Sequence, residues 1–374
     1  MPIYKAEGKK DGLQKYKVRI NYTDALGNAK QMTRIAYGKD AATMLEIKLL
    51  QQLQAGETRS TMLLSALYDE YIRAKALDVR ETSLDKSKRI LSRYVLPTFE
   101  NTKLSNITPK QLQQWKEEIA SSDLSLITQK NIFGEFRAMM NYALKLEYIP
   151  KNPLLTVGNF REAYFEPKQE KIRYYTAEQF KAYINEALNI CLKTGEFGFF
   201  VFFCIAFYTG MRKGEINALK WSDIEDNILH VRRSVAQKIK GKPIIETPPK
   251  NKSSYRDLQI PAPLLIILEE HKKRQQKDPR WTEDYRVCGG FTCLRDSSLS
   301  NKNHQFADAA GLPRIRIHDF RHSHVSLLAN EGINIQEIAR RLGHSKIEMT
   351  WNTYSHLYPR EEERAVSILD GITL

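Results

Sequence analysis

Two hydrophobic periods divide the chain. Over residues 15–22, Tyr16, Val18, Ile20 and Tyr22 alternate with Lys15, Lys17, Arg19 and Asn21, the two-residue period of a strand with one buried face. Asp24-Ala-Leu-Gly27-Asn supplies turn residues, residues 30–37 read as the returning strand and residues 39–54 as a helix. After a polar break at residues 55–60 the period becomes helical through to residue 158, with helices predicted over 63–76, 83–96, from Thr108, and over 129–146. Thr108 followed by Pro109 and Gln111 is a helix-start signature, because the hydroxyl and the amide cap each other's backbone and proline is preset for the first helical position. Residues 159–175 have mixed charge and no clean period, as a linker would. Thr176 with Gln179 starts the next helix, and residues 197–208 are apolar nearly all round, which predicts a helix buried on every side. Residues 228–235 and 243–261 predict a small antiparallel sheet, residues 264–276 a helix, and residues 278–303 irregular structure.

Near the end, residues 318–330 (HDFRHSHVSLLAN) read as a helix that puts His318 and Arg321 on one face and buries Phe320, Val325, Leu327 and Leu328 on the other. Gly332 ends it, Asn334 starts a second helix with Ile335, Ile338 and Leu342 as its apolar stripe, and Gly343 stops that one with His344 exposed just beyond. Ser345 to Glu348 repeats a capping signature before a short segment ending in Tyr354, whose polar neighbours predict a place outside the core. Upstream lie two further basic stretches, Thr209-Gly-Met-Arg212-Lys-Gly-Glu215-Ile and Pro249-Lys250-Asn-Lys252-Ser-Ser-Tyr-Arg256. The fold class predicted is mainly α with small antiparallel sheets, in several domains.

Composition sharpens this picture. The chain of 374 residues carries a formal charge of +14, which favours an anionic partner, and basic residues outnumber acidic ones in residues 1–60, in 61–160 and in the remainder alike. The stretch that wraps the anion is therefore expected to be long. No run of about 18 apolar residues is present, so no membrane span is expected, and Met-Pro-Ile-Tyr at the start lacks a signal peptide's apolar core. Cys191, Cys204, Cys288 and Cys293 show no metal-binding spacing and read as reduced packing residues of a cytoplasmic protein. The arginines, histidines and tyrosine make up a set suited to phosphoryl transfer. Clustered carboxylates for a metal are missing, and the histidine pair of HDFRH lacks the glutamate that would follow the first histidine of a zinc hydrolase helix. No metal and no cofactor are therefore expected.

Those motifs, TGMRKGEI, PKNKSSYR, HDFRH, LGH and NTYSH in that order over residues 172–360, resemble the boxes of the tyrosine recombinases of the phage-integrase family, most of all the integrases of conjugative transposons and temperate phages. The resemblance implies an arm-type DNA-binding module of ββ(β)α form over 1–58, a helical, SAM-like core-binding domain over 62–158, and an α+β catalytic domain over 172–374 with a C-terminal tail that packs on a neighbouring subunit. It implies Tyr354 as nucleophile, Arg212, Arg321 and His344 as ligands of the phosphate, and His318 as acceptor of the phenol's proton. Lys250, with Lys252 as second choice, would be donor to the leaving 5′ oxygen. Lys17, Arg19, Lys86, Arg89, Arg93, Lys130, Arg137, Lys252 and Arg256 become candidate DNA contacts. Implied partners are double-stranded DNA with core-type and arm-type sites, a homotetramer on paired sites, and DNA-bending or excisionase accessory proteins. The expected function is integration and excision of a mobile element through a 3′-phosphotyrosine and a Holliday junction. A dimer resolvase of the same family, a DNA-relaxing topoisomerase and a catalytically silent regulator are the alternatives.

Overall fold

The computed structural model describes residues 3–23, 29–54, 61–161, 173–236, 244–249, 252–357, 366, 369 and 370. They fall in two compact units, Met1–Pro167 and Lys168–Leu374.

The first unit opens with an antiparallel sheet of β1 (Ile3–Lys10), β2 (Leu13–Thr23) and β3 (Ala29–Tyr37) in that spatial order. The alternation in residues 15–22 does what period two requires. Val18 and Ile20 point to one face and pack with Ala36 against Ala42 and Leu49 of α1 (Lys39–Gln54), while Lys17, Arg19 and Asn21 are exposed on the other. There Asn21 accepts a hydrogen bond from Gln31 Nε2 across the strands at 2.8 Å, and the Arg19 guanidinium lies 5.4 Å from the Tyr4 ring centroid.

A second core in this unit is helical: α2 (Leu64–Asp78), α3 (Glu81–Tyr94), the short α4 (Leu96–Phe99), α5 (Pro109–Ala120), α6 (Leu126–Lys145) and the short α7 (Leu154–Val157). Thr108 and Gln111 form the predicted capping box of α5. Leu67, Leu91, Trp115, Phe133, Phe136 and Met139 converge as the core, and the one polar atom Trp115 takes inside, Nε1, donates to the Tyr94 carbonyl at 2.8 Å. Two ends of the expected linker belong to cores instead. Phe160 is buried in the helical cluster, and Tyr175 in the second unit donates its hydroxyl to the Pro313 carbonyl at 2.6 Å. Residues 162–172 of that stretch lie outside the described residues.

The second unit is built around α9 (Phe197–Thr209), introduced by α8 (Ala177–Thr194). As its all-round apolarity demands, residues 199–207 of α9 are buried, and Phe207 stacks on Phe180 with ring centroids 3.7 Å apart. After α10 (Lys213–Ala218) come β4 (Ile224–Glu225), β5 (Ile228–Val231), β6 (Ser234–Ala236), β7 (Ile245–Thr247) and β8 (Arg256–Gln259), paired antiparallel as β4-β5-β8 and β6-β7. Helices α11 (Ala262–Gln275), α12 (Asp296–Ala309), α13 (Asp319–Asn330), α14 (Ile335–Leu342) and α15 (Ile347–Tyr354) complete it.

Residues 296–303, expected to be irregular, begin α12. The sequence conceals this helix because a polar residue sits on its buried face. Asn303 accepts from the Tyr183 hydroxyl at 2.9 Å and donates to the Ile315 carbonyl at 2.6 Å, so an asparagine does there what a leucine would be expected to do. Leu327, expected inside, is exposed. All four cysteines are buried and unpaired, and among the described residues no helix is long and apolar enough to cross a membrane.

Candidate active site

Two chain reversals bring the site together. Helix α9 ends at Gly210, in the left-handed region at φ +63°, where a Cβ would stand 2.7 Å from the His324 ring. Glycine is required there on both counts. The turn delivers Arg212 to the N-cap of α10, where the Glu215 carboxylate accepts from Arg212 N at 3.0 Å and from its Nη1 at 2.9 Å. Helix α14 ends in the same way at Gly343, φ +66°, and hands His344 back toward α13.

Arg321 is buried and points into the junction. Its Nη1 donates to the Gly210 carbonyl at 2.8 Å, and its Nη2 donates to the Leu342 carbonyl at 2.7 Å and to His344 Nε2 at 2.8 Å. A guanidinium only donates, so His344 Nε2 is an acceptor, and the proton on the neutral ring sits at Nδ1, which donates to Thr350 Oγ1 at 2.8 Å. Burial, then Arg321, Arg212 and Arg256, push the His344 pKa down to about 4, which keeps that ring neutral at pH 7.

The balance of charge is the feature that matters most. Burial and then Arg212 push the Arg321 pKa down to about 9, still protonated at neutrality, and among the described residues no carboxylate pairs with it directly. Glu215 cannot satisfy it, because its carboxylate already pairs with Arg212 and, at 2.8 Å, with Arg256 Nη2. Burial alone would push the Glu215 carboxyl up, but Arg256 and Arg212 outweigh this and hold it below its ordinary value. Such a cluster favours a further anion with several oxygens, which describes a phosphate.

Tyr354 does not stand outside the core as its neighbours predicted. It is 3 % exposed and packs with Val325, Ala329, Ile338 and Leu342, because α13, α14 and α15 form a small layer whose core needs the area of its ring. Burial pushes its pKa up to about 12. Its hydroxyl lies 2.6 Å from Nδ1 of His322. Among the described residues, the hydrogen bond to the phenol is thus made by His322, not by His318. His318 precedes α13 with much of its ring exposed; loss of solvent around the rest, then His322 and Arg321, bring its pKa down to about 4. His344, expected to be exposed, is half-buried by the bonds just described.

Lys250 lies outside the described residues, and of Lys252 only the backbone, starting a 3-10 turn at residues 252–254, is described. Arg256, expected to contact DNA, is turned inward. It is 6 % exposed, and its Nε donates to the Arg341 carbonyl at 2.6 Å, its Nη1 to the Ser254 carbonyl at 3.1 Å and its Nη2 to Glu215, so it supports the site from inside and offers nothing to a phosphate at the surface. The other candidate contacts are exposed: Lys17 and Arg19 on the sheet, Lys86, Arg89 and Arg93 along one face of α3, Lys130 and Arg137 two turns apart on α6. Most of the C-terminal tail expected to pack on a neighbour lies outside the described residues.

A buried cation cluster without enough counter-charge, beside a tyrosine, defines a protein that handles a phosphodiester. Comparison with known proteins makes this specific. The model of the phage integrase N-terminal SAM-like domain matches residues 63–119, and that of the phage integrase family matches residues 292–361. The ICEBs1 integrase of Bacillus subtilis (strain 168) is 27% identical over 367 residues, covering 96% of this chain and 97% of its own. A XerC-like tyrosine recombinase of Caldanaerobacter subterraneus subsp. tengcongensis is 30% identical over 291 residues, covering 72% of each chain. Among solved structures, the Tn1549 transposon integrase in complex with transposon right end DNA matches 83% of this chain and 99% of its own with a TM-score of 0.63 at 18% identity. A lambda integrase tetramer bound to a Holliday junction matches 92% and 96% with a TM-score of 0.56 at 17% identity. The chain belongs to the phage integrase family and is a tyrosine-type site-specific DNA recombinase of the integrase kind.

Proposed function

We propose that Tyr354 attacks a DNA phosphodiester held by Arg212 and Arg321, forming a 3′-phosphotyrosine and freeing a 5′ hydroxyl. The observation that carries this reading is Arg321. Its side chain is fixed by two backbone carbonyls and short of an anion, and its layer of helices also carries Tyr354. Arginines suit the task because each presents a planar fork to two oxygens and keeps its charge. His318 supplies a hydrogen bond to the same phosphate, His344 holds the Arg321 fork in place through its Nε2, and Lys250, or failing it Lys252, protonates the departing 5′ oxygen. The phosphotyrosine conserves the bond energy, so a 5′ hydroxyl from a second duplex reverses the step without ATP. Two such exchanges in a tetramer on paired sites pass through a Holliday junction, as suits integration and excision of a mobile element assisted by accessory proteins. The basic face of the N-terminal sheet reads arm-type sites, while α3 and α6 hold the backbone of core-type sites.

A duplex spanning the joined ends of the element, nicked beside the cut so that the freed fragment diffuses away, tests the chemistry. The wild-type chain should accumulate a covalent protein–DNA adduct in excess chelator, and Tyr354→Phe should form none. Adduct in the Phe variant, or a need for divalent ions, refutes the reading. For the sheet, Lys17→Ala with Arg19→Ala should weaken arm-site binding, and the slope of log affinity against log salt should shrink by about 1.8, at roughly 0.9 per lost phosphate contact. An unchanged slope removes both residues from the interface.

A further inference from the structure

The second histidine of HDFRH has no part in the chemistry outlined so far, yet its Nδ1 is 2.6 Å from the Tyr354 hydroxyl. We propose that His322 is the catalytic base of strand cleavage, taking the proton from Tyr354 as the phenol attacks. The idea rests on Tyr354 being the nucleophile.

The charge on the far side of the ring favours one direction for this hydrogen bond. His322 is half-buried on α13, its other nitrogen 4.0 Å from an oxygen of Asp319 one turn earlier. Asp319 is fully buried and anchored by the backbone and side chain of Arg316, with its Oδ2 accepting from Arg316 N at 2.8 Å. A carboxylate on that side favours a proton on Nε2, so Nδ1 carries the lone pair and the phenol donates to it. The remaining charged or titratable neighbours are His318, with ring centroid 5.3 Å away, and the Arg321 guanidinium. Burial, the Arg316 charge and the Arg321 charge outweigh Asp319 and hold the His322 pKa below its ordinary value, which leaves the ring unprotonated and ready to accept at neutral pH. Tyr354, its own pKa raised by burial, cannot ionise without such an acceptor.

The step balances. As the Tyr354 oxygen bonds to phosphorus, its proton passes to His322 Nδ1, the bond from phosphorus to the 5′ oxygen breaks, and the leaving oxygen is protonated by the lysine assigned above. The resulting imidazolium carries its second proton on Nε2, 4.0 Å from the Asp319 carboxylate, whose charge stabilises it. In strand joining the same proton returns to the departing phenolate. His318 is exposed and has no such arrangement toward the phenol among the described residues.

The test is single-turnover adduct formation by the full chain on the nicked duplex. His322→Gln can accept a hydrogen bond but not take a proton, and His322→Ala can do neither. Both should lose about 10²- to 10⁴-fold in rate, the usual contribution of a positioned base, with unchanged affinity for intact duplex. Imidazole added in solution should restore adduct to the Ala variant in a saturable manner and do nothing for Gln. A duplex with sulfur in place of the 5′ bridging oxygen, a leaving group that needs no proton, should leave the His322 defect in place. A wild-type rate in either variant, a faster rate, absent rescue by imidazole, or relief by the sulfur substrate overturns the proposal. If Tyr354→Phe still forms adduct, the nucleophile itself has been misassigned; if it forms none while the His322 variants react normally, only the base is wrong.

Discussion

Arg321→Lys is expected to slow covalent adduct formation by about 10²- to 10³-fold, the usual cost of losing one preorganised donor to a developing oxyanion. The physical reason is reach as much as charge. The guanidinium spans Gly210, Leu342 and His344 with two nitrogens, and a single ammonium on a flexible stem cannot hold all three and still face a phosphate. The substitution also leaves a buried carbonyl unpaired, at about 1–3 kcal/mol. Denaturant unfolding should therefore show a smaller midpoint, and the cleavage rate is to be compared at a temperature where both chains are fully folded. If the folded variant cleaves at the wild-type rate, Arg321 does not hold the reacting phosphate.

Glu215→Ala should be the most destabilising single change in the site. The Arg256 and Glu215 side chains are 3% and 4% exposed, and removing one partner of a buried pair typically costs about 3–5 kcal/mol, because the other charge is left without compensation. For a unit of this size that is roughly 6–20 °C in Tm, measurable by calorimetry. It also frees Arg212 from its N-cap geometry, so adduct formation should fall even in the folded fraction. The pH dependence has a definite sign. The folded pKa of Glu215 lies below the unfolded value, so its contribution is fully present above the ordinary glutamate pKa and is lost as pH falls through the folded value. The gap in stability between wild type and Glu215→Gln should accordingly close only on the acid side of that range. A variant as stable as wild type at pH 7 would show that the arginines need no internal counter-ion.

Much of this was written locally. The alternation at 16–22 forced a one-faced strand, Thr108 with Gln111 and Thr176 with Gln179 formed the capping boxes they announce, and the apolar run ending in Thr209-Gly210 could only be a buried helix with a left-handed stop. Those features depend on residues within one or two turns of each other. The motifs that place arginines, histidines and a tyrosine in fixed order were legible for the same reason. The helix at 296–309 was not, since its buried face carries Asn303, whose partners Tyr183 and Ile315 come from other parts of the chain.

By itself, then, the sequence determined the helical and strand segments, their stops and the chemistry of the side chains on offer, because periodicity and capping are local. Tertiary structure alone decided that Arg256 turns inward to Glu215, 41 residues away, that Tyr354 is closed into a core, and that His322 rather than His318 meets its hydroxyl. Helical spacing fixes which residues share a face. Which faces meet depends on how the ends of α13, α14 and α15 pack, and on where buried charge can find a partner.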